Sequence, residues 1–458
     1  MAGLAPLKRF IDHPFDISEI PLSANLSSDK FEKVLTDLIS AKLTEQEKAS
    51  PPDSGKVIES RGRHFSDPFI YLGTGGTAYM YYRLYNFATR MQQKDQAQVY
   101  LGKAVQALQV SFSMLKDMEE QLDGDRPAPS FFFGPTGLYT LGALIYSHID
   151  DQEGRKSQEM LNKVLAYAEH FNDEDSEKIE DEILYGSAGY LYCLLLLRKN
   201  LGVRHHEDID HALGITIETL MISGVQEKND FLEYYFPKKR KTPYMGAAHG
   251  LIGIIYMMIK ALQVSHSLQT DKDFVALVRN TVTLILSKQT GFGSFPFKSS
   301  ADVDEDNEPN HWCHGAPGAI PLLIEAYLTF KNQEYLDAAL KSGKNVWRNG
   351  LLRKGCGLCH GTCGNAYALM SLYKATGDIV WKQRAQMFIL WSGEKQVQDE
   401  IAQYPKVISG LKIQGTPDTP FSLMEGQAGH ITAYADFAGW TELTPAKDLQ
   451  IFFPGYEL

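Results

Sequence analysis

The octapeptide His311-Trp-Cys-His-Gly-Ala-Pro-Gly318 returns in altered form as Leu358-Cys-His-Gly-Thr-Cys-Gly364. Each segment ends in a Gly-x-x-Gly turn, and an apolar stretch follows each turn. Successive turns of this kind start 46 to 65 residues apart, which leaves room for two helices in each step. Seven such turns predict a helical repeat architecture. They begin at Gly73, Gly134, Gly186, Gly250, Gly315, Gly361 and Gly426.

The segments after the turns differ in polarity from the segments between them. Tyr190–Leu197, which follows the third turn, is apolar nearly all round, as in a buried helix. Val99–Val110, between two turns, has the amphipathic pattern of a helix with one solvent-exposed face. No strand-type alternation of comparable length competes. The sequence therefore predicts an all-α fold with an inner layer of helices after the glycines and an outer layer facing water.

The composition limits the functional classes. The chain of 458 residues has a net charge of −11, which argues against nucleic-acid binding. Five cysteines, three of them within 356–363, favour a reducing compartment with a metal or a reactive thiol over a disulfide framework. The N-terminal MAGLAPLKRF lacks the apolar region of a secretory signal. We therefore expect a cytoplasmic protein, and an additional location in the nucleus is left open.

One uncharged stretch, residues 130–149, has nearly the length of a membrane span. The turn Gly134–Gly137 interrupts it near its start, and polar groups follow. A buried helix of a soluble ring explains the stretch better than a span does. The prediction is therefore a protein without transmembrane helices, and peripheral membrane association is left open.

The residue just before the first glycine of each turn changes character along the chain. Three apolar or aromatic residues are followed by four polar ones, in the order Leu72, Phe133, Tyr185, His249, His314, His360 and Glu425. One position earlier, two successive repeats carry Cys313 and Cys359. Equivalent positions of adjacent hairpins are neighbours in space, so two thiols and two imidazoles should face one point. Two Cys and one His, with an open fourth position, suit a zinc ion.

The residues alone leave alternatives open. Either His314 or His360 could be the imidazole ligand, and the other would then be available for a second role. Cys313 and Cys359 could instead be ordinary buried thiols. Cys356 and Cys359, spaced as Cys-x-x-Cys, could form a redox pair. Repetition of Cys-His-Gly in register favours the metal site.

Several motifs resemble those of the eukaryotic lanthionine-cyclase-like (LanC-like) proteins. They are GAAHG (246–250), HWCHGAPG (311–318), GLCHG (357–361), TPFSLMEGQAG (419–429) and the ending FPGYEL (453–458). The resemblance implies a double-layered α/α toroid, a closed barrel of seven helical-hairpin repeats. It places the toroid and its zinc site in residues 61–458, with an N-terminal segment, residues 1–60, packing on the ring. It also implies that Cys313, Cys359 and His360 hold one Zn²⁺.

The same resemblance implies an activity. Members of this family add the thiol of glutathione, a co-substrate, to dehydroalanine and dehydrobutyrine residues of proteins or peptides. His249 matches the family's GAAHG histidine and is the first choice for the general acid, with His314 as the second. Lys354 and Arg9 match positions that contact glutathione carboxylates. The alternative to this enzyme is a non-catalytic adaptor or signalling protein that binds zinc and glutathione.

The chain also departs from the family pattern. Pro135 stands where many relatives have an acidic residue, and Gly415 stands where they have a basic one. The stretch 305–310 lacks the arginine that often precedes HWCHG, whereas an acidic candidate, Glu182, is present before the third turn. These departures affect anion binding and acid–base details more than zinc binding.

The most concentrated positive charge in this acidic chain is Pro237-Lys-Lys-Arg-Lys241. Such a run resembles a nuclear localisation signal. It ends five residues before GAAHG, so a ring would place it on the rim of the site. There it could attract substrate segments that were formerly phosphorylated and still carry neighbouring phosphates.

Overall fold

The fold follows from the glycine turns, each of which caps an α-helix. The structure, a computed structural model, describes residues 9–11, 28–58, 64–120, 128–149, 154–172, 176–225, 229–299, 309–403, 407–408, 411–412, 419–440 and 445–457. The first glycine of every turn is the N-cap of a helix whose residues are largely buried. These inner helices are α2 (Thr74–Arg90), α4 (Pro135–Tyr146), α6 (Ser187–Asn200), α8 (Leu251–Val264), α11 (Ala316–Phe330), α13 (Thr362–Thr376) and α16 (Gln427–Ala438).

A second set of helices covers the inner ones and buries only one face. The outer helices are α1 (Ser28–Ala49), α3 (Lys94–Glu119), α5 (Arg155–Ala166), α7 (His206–Gly224), α10 (Lys272–Ser287), α12 (Gln333–Asn349) and α14 (Ile379–Gly393). Two short helices, α9 (His266–Thr270) and α15 (Lys395–Gln403), precede α10 and follow α14. The predicted two-layered all-α fold is confirmed.

The remaining regular elements are short. Strand β1 (Val57–Ile58) pairs with β2 (His64–Phe65), and β3 (Val407–Ile408) pairs with β4 (Leu411–Lys412), both antiparallel. Single 3₁₀ turns cover Tyr167–Asn172, Ser176–Lys178, Val203–His205, Lys238–Arg240 and Ala446–Asp448. In the part of the chain that is described, no helix combines the length and apolarity that crossing a bilayer demands.

The inner helices form a closed ring, since α16, the last of them, packs against α2, the first. Six outer helices follow their inner partners in sequence, but α16 is covered by α1 from the other end of the chain. The toroid is thereby confirmed, and its seventh hairpin combines the two ends of the described chain. A domain boundary at residue 60 stays a prediction.

Backbone hydrogen bonds between successive turns hold one mouth of the ring. The amide of Cys313 donates to the carbonyl of Cys359 at 3.3 Å, and the amide of Cys359 donates to Met424 at 2.8 Å. The amide of Met424 then donates to Tyr71 at 3.2 Å, which joins the last turn to the first. These residues occupy the same position of their repeats, two before the first glycine. The ring of turns therefore fixes the spacing of side chains that face the mouth.

Two glycines show why this ring tolerates no side chain at its turns. A Cβ on Gly364 would lie 1.9 Å from the carbonyl oxygen of Leu358, a distance that no packing adjustment accommodates. Gly315 has a φ of 109°, a conformation that L-residues rarely adopt, directly after the Cys313-His314 pair. The sequence-based explanation of the glycines as shape-determining residues agrees with these contacts.

The chain end packs beneath the turn that carries Cys313. Trp312 contacts Phe453 and Tyr456 with ring centroids 5.2 and 5.5 Å apart. The Tyr456 hydroxyl donates a hydrogen bond of 2.8 Å to the carbonyl of Gly318. All three rings are buried, so the C-terminal segment stabilises the Cys313 turn from inside the ring.

Candidate metal centre and active site

Three sequence-predicted ligands come together at the mouth of the ring. The ligand atoms of Cys313, Cys359 and His360 all lie within 4.8 Å of one another. Cys313 precedes the cap of α11 and Cys359 precedes the cap of α13, so the backbone hydrogen bond between them sets the thiols side by side. Among the described residues, this is the group of His, Cys, Asp and Glu side chains that could hold a metal ion.

The two thiols are electrostatically unlike each other. Burial opposes ionisation of Cys313, but a hydrogen bond from Cys359 and the nearby Lys354 ammonium lower its pKa below the ordinary value. Burial and the neighbouring Cys313 raise the pKa of Cys359 well above the ordinary value. The hydrogen bond between the two thiols thus favours the thiolate of Cys313 over that of Cys359, and a bound cation would favour the thiolate form of both.

The donor set fits a tetrahedral site for a soft or borderline metal. With Zn–S near 2.3 Å and Zn–N near 2.0–2.1 Å, ligand atoms around one ion lie roughly 3.5–3.8 Å apart. The observed limit of 4.8 Å needs only small side-chain movements to reach that geometry. Three protein ligands would leave one position of a four-coordinate ion free.

The other cysteines take no part in this group, and the five cysteines are free of disulfides. The thiol of Cys356 accepts a hydrogen bond from Gln398 at 3.5 Å, and burial raises its pKa to about 11. Burial likewise raises the pKa of Cys363 and of Cys193. Cys359 is hydrogen-bonded to Cys313.

His249 is oriented by a buried carboxylate. Its Nδ1 lies 3.0 Å from Oε2 of Glu182, whose side chain is 1% exposed, whereas the His249 side chain is 23% exposed. The same carboxylate accepts hydrogen bonds from the amides of Leu184 at 2.8 Å and Tyr185 at 2.7 Å. The Phe236 ring stacks on the imidazole at a centroid distance of 4.2 Å. The ring of His249 is thus held with Nδ1 toward Glu182.

His314 lies beside His249 but in a different environment. The two ring centroids are 6.4 Å apart. Burial, followed by the charges of His249 and Lys354, lowers the pKa of His314 to about 4. Its Nδ1 is buried without a hydrogen-bond partner among the described residues. No carboxylate comparable to Glu182 orients this second predicted histidine within that part of the chain.

Arg9 and Lys354 lie at the same edge of the mouth. Residues 9–11 run antiparallel to 351–353: the amide of Ile11 donates to Leu351 at 2.7 Å, and the amide of Arg353 donates to Arg9 at 3.0 Å. Arg9 is therefore aligned with the residue just before Lys354. The charge of Lys354 acts on Cys313, and that of Arg9 on the neighbouring His311. The structure brings both predicted cations to the metal group, although their role stays a prediction.

Most of the chain is similar to known proteins. A family model described as "Lanthionine synthetase C-like protein" matches residues 64–444. The chain belongs to the lanthionine synthetase C-like family. A LanC-like relative from Danio rerio, named Glutathione S-transferase LANCL1, is 32% identical over 335 residues, which are 72% of this chain and 74% of that protein. The LanC-like protein GCL1 of Arabidopsis thaliana is 28% identical over 405 residues, 86% of this chain and 82% of that protein.

A solved structure supports the fold of this LanC-like protein. Nisin cyclase aligns with a TM-score of 0.58 at 14% identity, over 93% of this chain and 98% of that chain. At this identity the match concerns the fold alone, and it agrees with the closed ring described above.

Two residues of this LanC-like site were missed by the sequence reasoning. Nδ1 of His311 lies 3.1 Å from the sulfur of Cys313. Tyr71 is hydrogen-bonded to Cys359 through its hydroxyl. A signal for Tyr71 existed, because it stands two before the first glycine of its turn, the position of Cys313 and Cys359 in theirs. Equivalent repeat positions face the same point whatever residue they carry.

The departures from the family pattern are only partly visible in the structure. Pro135 is the first residue of α4, where its fixed φ suits a helix start. Gly415 and residues 305–308 lie outside the described residues. Glu182 proves to be the carboxylate partner of His249, a role that its position in the sequence did not reveal.

Proposed function

We propose that this LanC-like protein is a zinc-dependent transferase that adds the glutathione thiol to dehydroalanine and dehydrobutyrine residues. The observation that carries the proposal is proximity: the imidazole of His249, oriented by Glu182, lies beside His314, the residue that directly follows Cys313 of the Cys-Cys-His group. The name of the Danio rerio relative, a glutathione S-transferase, supports glutathione as the thiol.

Cys313, Cys359 and His360 would hold the ion, and a bound Zn²⁺ supplies the positive charge that keeps a thiol deprotonated at neutral pH. The group's position before two helix N-termini adds partial positive charge to the mouth. The three side chains are largely buried, so a bound ion would be shielded from bulk water.

His249 would supply the proton that completes the addition. As the carbon–sulfur bond forms at the β-carbon, the electron pair of the double bond moves to the α-carbon. That carbon takes a proton from Nε2 of His249, which is later restored by solvent. Glu182 would accept the hydrogen bond of Nδ1 and hold the ring in place. His314, which lacks such a partner among the described residues, is the weaker choice for this role.

Arg9 and Lys354 would bind the carboxylates of glutathione. The peptide carries two carboxylates and one ammonium at neutral pH, so charge-assisted hydrogen bonds are the interaction it needs. The pairing of residues 9–11 with 351–353 keeps both cations at one edge of the mouth. Glutathione anchored there would direct its cysteine sulfur toward the metal group.

The proposal is tested by mass spectrometry of a dehydroalanine peptide incubated with glutathione and the zinc-loaded protein. We expect a glutathione adduct whose formation depends on the protein and is lost when the metal is removed by a chelator. Glutathione binding without any adduct would contradict the enzyme and favour the non-catalytic adaptor. The His249→Ala variant, which keeps the predicted metal ligands, serves as the control for metal-dependent but uncatalysed addition.

A further inference from the structure

A row of aromatic rings leads away from the metal group along the mouth. Phe133 and Tyr185 stack with centroids 4.7 Å apart at an interplanar angle of 9°. Tyr185 and Phe236 continue the row at 6.0 Å and 5°. Phe133 also stacks on Tyr71, the residue bonded to Cys359. These three rings, Phe133, Tyr185 and Phe236, form an aromatic wall that runs from the metal group past His249.

The wall presents apolar surface to solvent. Tyr185 is 37% exposed, and Phe133 and Phe236 are partly exposed. The wall is three stacked rings long, which is more surface than the reacting double bond of the substrate alone could contact. The surface therefore suits a neighbouring part of a peptide substrate, because aromatic faces bind apolar side chains and peptide planes.

Three exposed cationic residues follow the last ring of the wall in the sequence. Lys239, Arg240 and Lys241 are exposed and form a short turn just after Phe236 and Pro237. We call these three residues the basic rim. They carry three positive charges on a chain whose net charge is −11.

Lys238 anchors the turn from below. Its Nζ forms an ion pair with Asp181 at 2.9 Å, and its backbone amide donates to Glu180 at 3.1 Å. The charge of Lys238 is thus neutralised by the scaffold, whereas the three cations of the basic rim project into solvent. A turn fixed in this way holds the rim at the end of the wall.

We propose that the aromatic wall and the basic rim together form a docking surface for an acidic peptide segment that flanks the dehydro residue. Charge complementarity selects the acidic segment, and the continuity of the wall with the mouth sets its direction. The proposal rests on the proposed function for the identity of the reacting residue, but peptide binding itself does not depend on catalysis.

The test uses unreactive peptides in which alanine replaces dehydroalanine, flanked by either Asp and Glu or Ser and Gln. Fluorescence anisotropy measures their affinities for the full chain at low ionic strength. We expect the wild type to prefer the acidic peptide by roughly tenfold, and Lys239→Ser/Arg240→Ser/Lys241→Ser to abolish that preference. At 1 M salt, where the Debye length is about 3 Å, the preference should disappear in the wild type as well.

A matched control removes three exposed lysines from the outer layer, in the variant Lys94→Ser/Lys272→Ser/Lys344→Ser. It changes the net charge equally and should keep the tenfold preference. Tyr185→Ala should weaken the binding of both peptides by a similar factor, because the wall contributes apolar contact rather than charge.

Equal loss of preference in the rim and control variants would overturn the proposal, since net charge and not the rim would then be responsible. Unchanged affinity of the Tyr185→Ala variant for both peptides would also overturn the proposal. Absence of turnover with every dehydroalanine peptide, with the acidic preference intact, would contradict the proposed function and leave the docking surface standing.

Discussion

Replacement of Glu182 by glutamine removes the charge that orients His249 while keeping the size of the side chain. In the structure, one oxygen accepts from the Tyr185 amide at 2.7 Å, and the other accepts from the Leu184 amide and from His249. A glutamine side chain has only one acceptor oxygen, so either orientation of the new carboxamide would point a donor at a backbone N–H. Glu182→Gln therefore costs about 1–3 kcal/mol of folding stability.

The effect on activity should be separate from this loss of stability. Without the carboxylate, His249 loses the negative charge beside Nδ1, and one of the two carboxamide orientations also removes the Nδ1 acceptor. If His249 contributes roughly a hundredfold as general acid, Glu182→Gln should cost between roughly tenfold and a hundredfold in kcat/KM. The loss cannot exceed that of His249→Ala, because Glu182 acts only through the imidazole.

A double-mutant cycle tests this dependence. Adduct formation is measured by mass spectrometry for the wild type, Glu182→Gln, His249→Ala and the double variant, after urea unfolding has shown that each protein is folded under the assay conditions. We expect Glu182→Gln to slow the His249→Ala protein by less than about twofold. Losses that multiply in the double variant would refute the reasoning, because Glu182 would then act on something other than His249.

Three further predictions concern the metal, the proton donor and stability. Cys359→Ala should remove most of the roughly one zinc per chain, whereas Cys356→Ser should keep it; metal analysis that finds full zinc in Cys359→Ala would contradict the ligand assignment. His249→Ala should slow adduct formation by roughly a hundredfold with metal retained, and near-normal kinetics there with a large loss in His314→Ala would transfer the role to His314. Burial raises the pKa of Glu457 to about 7, so its proton is bound in the folded state and released from the unfolded chain between about pH 4.5 and 7. The free energy of unfolding should fall across that window by about 3 kcal/mol, and Glu457→Gln should lack this slope in urea titrations.

Much of the fold could be predicted from local sequence. Each Gly-x-x-Gly turn requires glycine because a Cβ would collide with a carbonyl a few residues earlier in the same chain segment, as at Gly364 and Leu358. The polarity of the following segments then separates inner from outer helices. The pairing of Cys313 with Cys359 was also predictable, since equivalent positions of adjacent repeats must be neighbours in any regular ring.

Other features depended on contacts between distant segments. Helix α1 is an ordinary amphipathic segment that packs against α16, near the other end of the chain. The residues of α1 alone do not identify the helix against which it packs. Arg9 lies near His311, beside the metal group, only because residues 9–11 pair with 351–353. Glu182 contacts His249 of the next repeat, although the two differ in their position relative to the glycines.

The difference between the features set by local sequence and those set by the tertiary structure has a physical basis. Steric exclusion at a turn and the polarity of a helix face are set by residues close in sequence, so the chain determined the seven turns, the two layers and the in-register thiols by itself. Ion pairs, stacked rings and chain-end packing depend on the radius and closure of the ring, which fix which side chains of different repeats lie within reach. The carboxylate behind His249, the aromatic wall and the covering of α16 by α1 were therefore decided only by the tertiary structure.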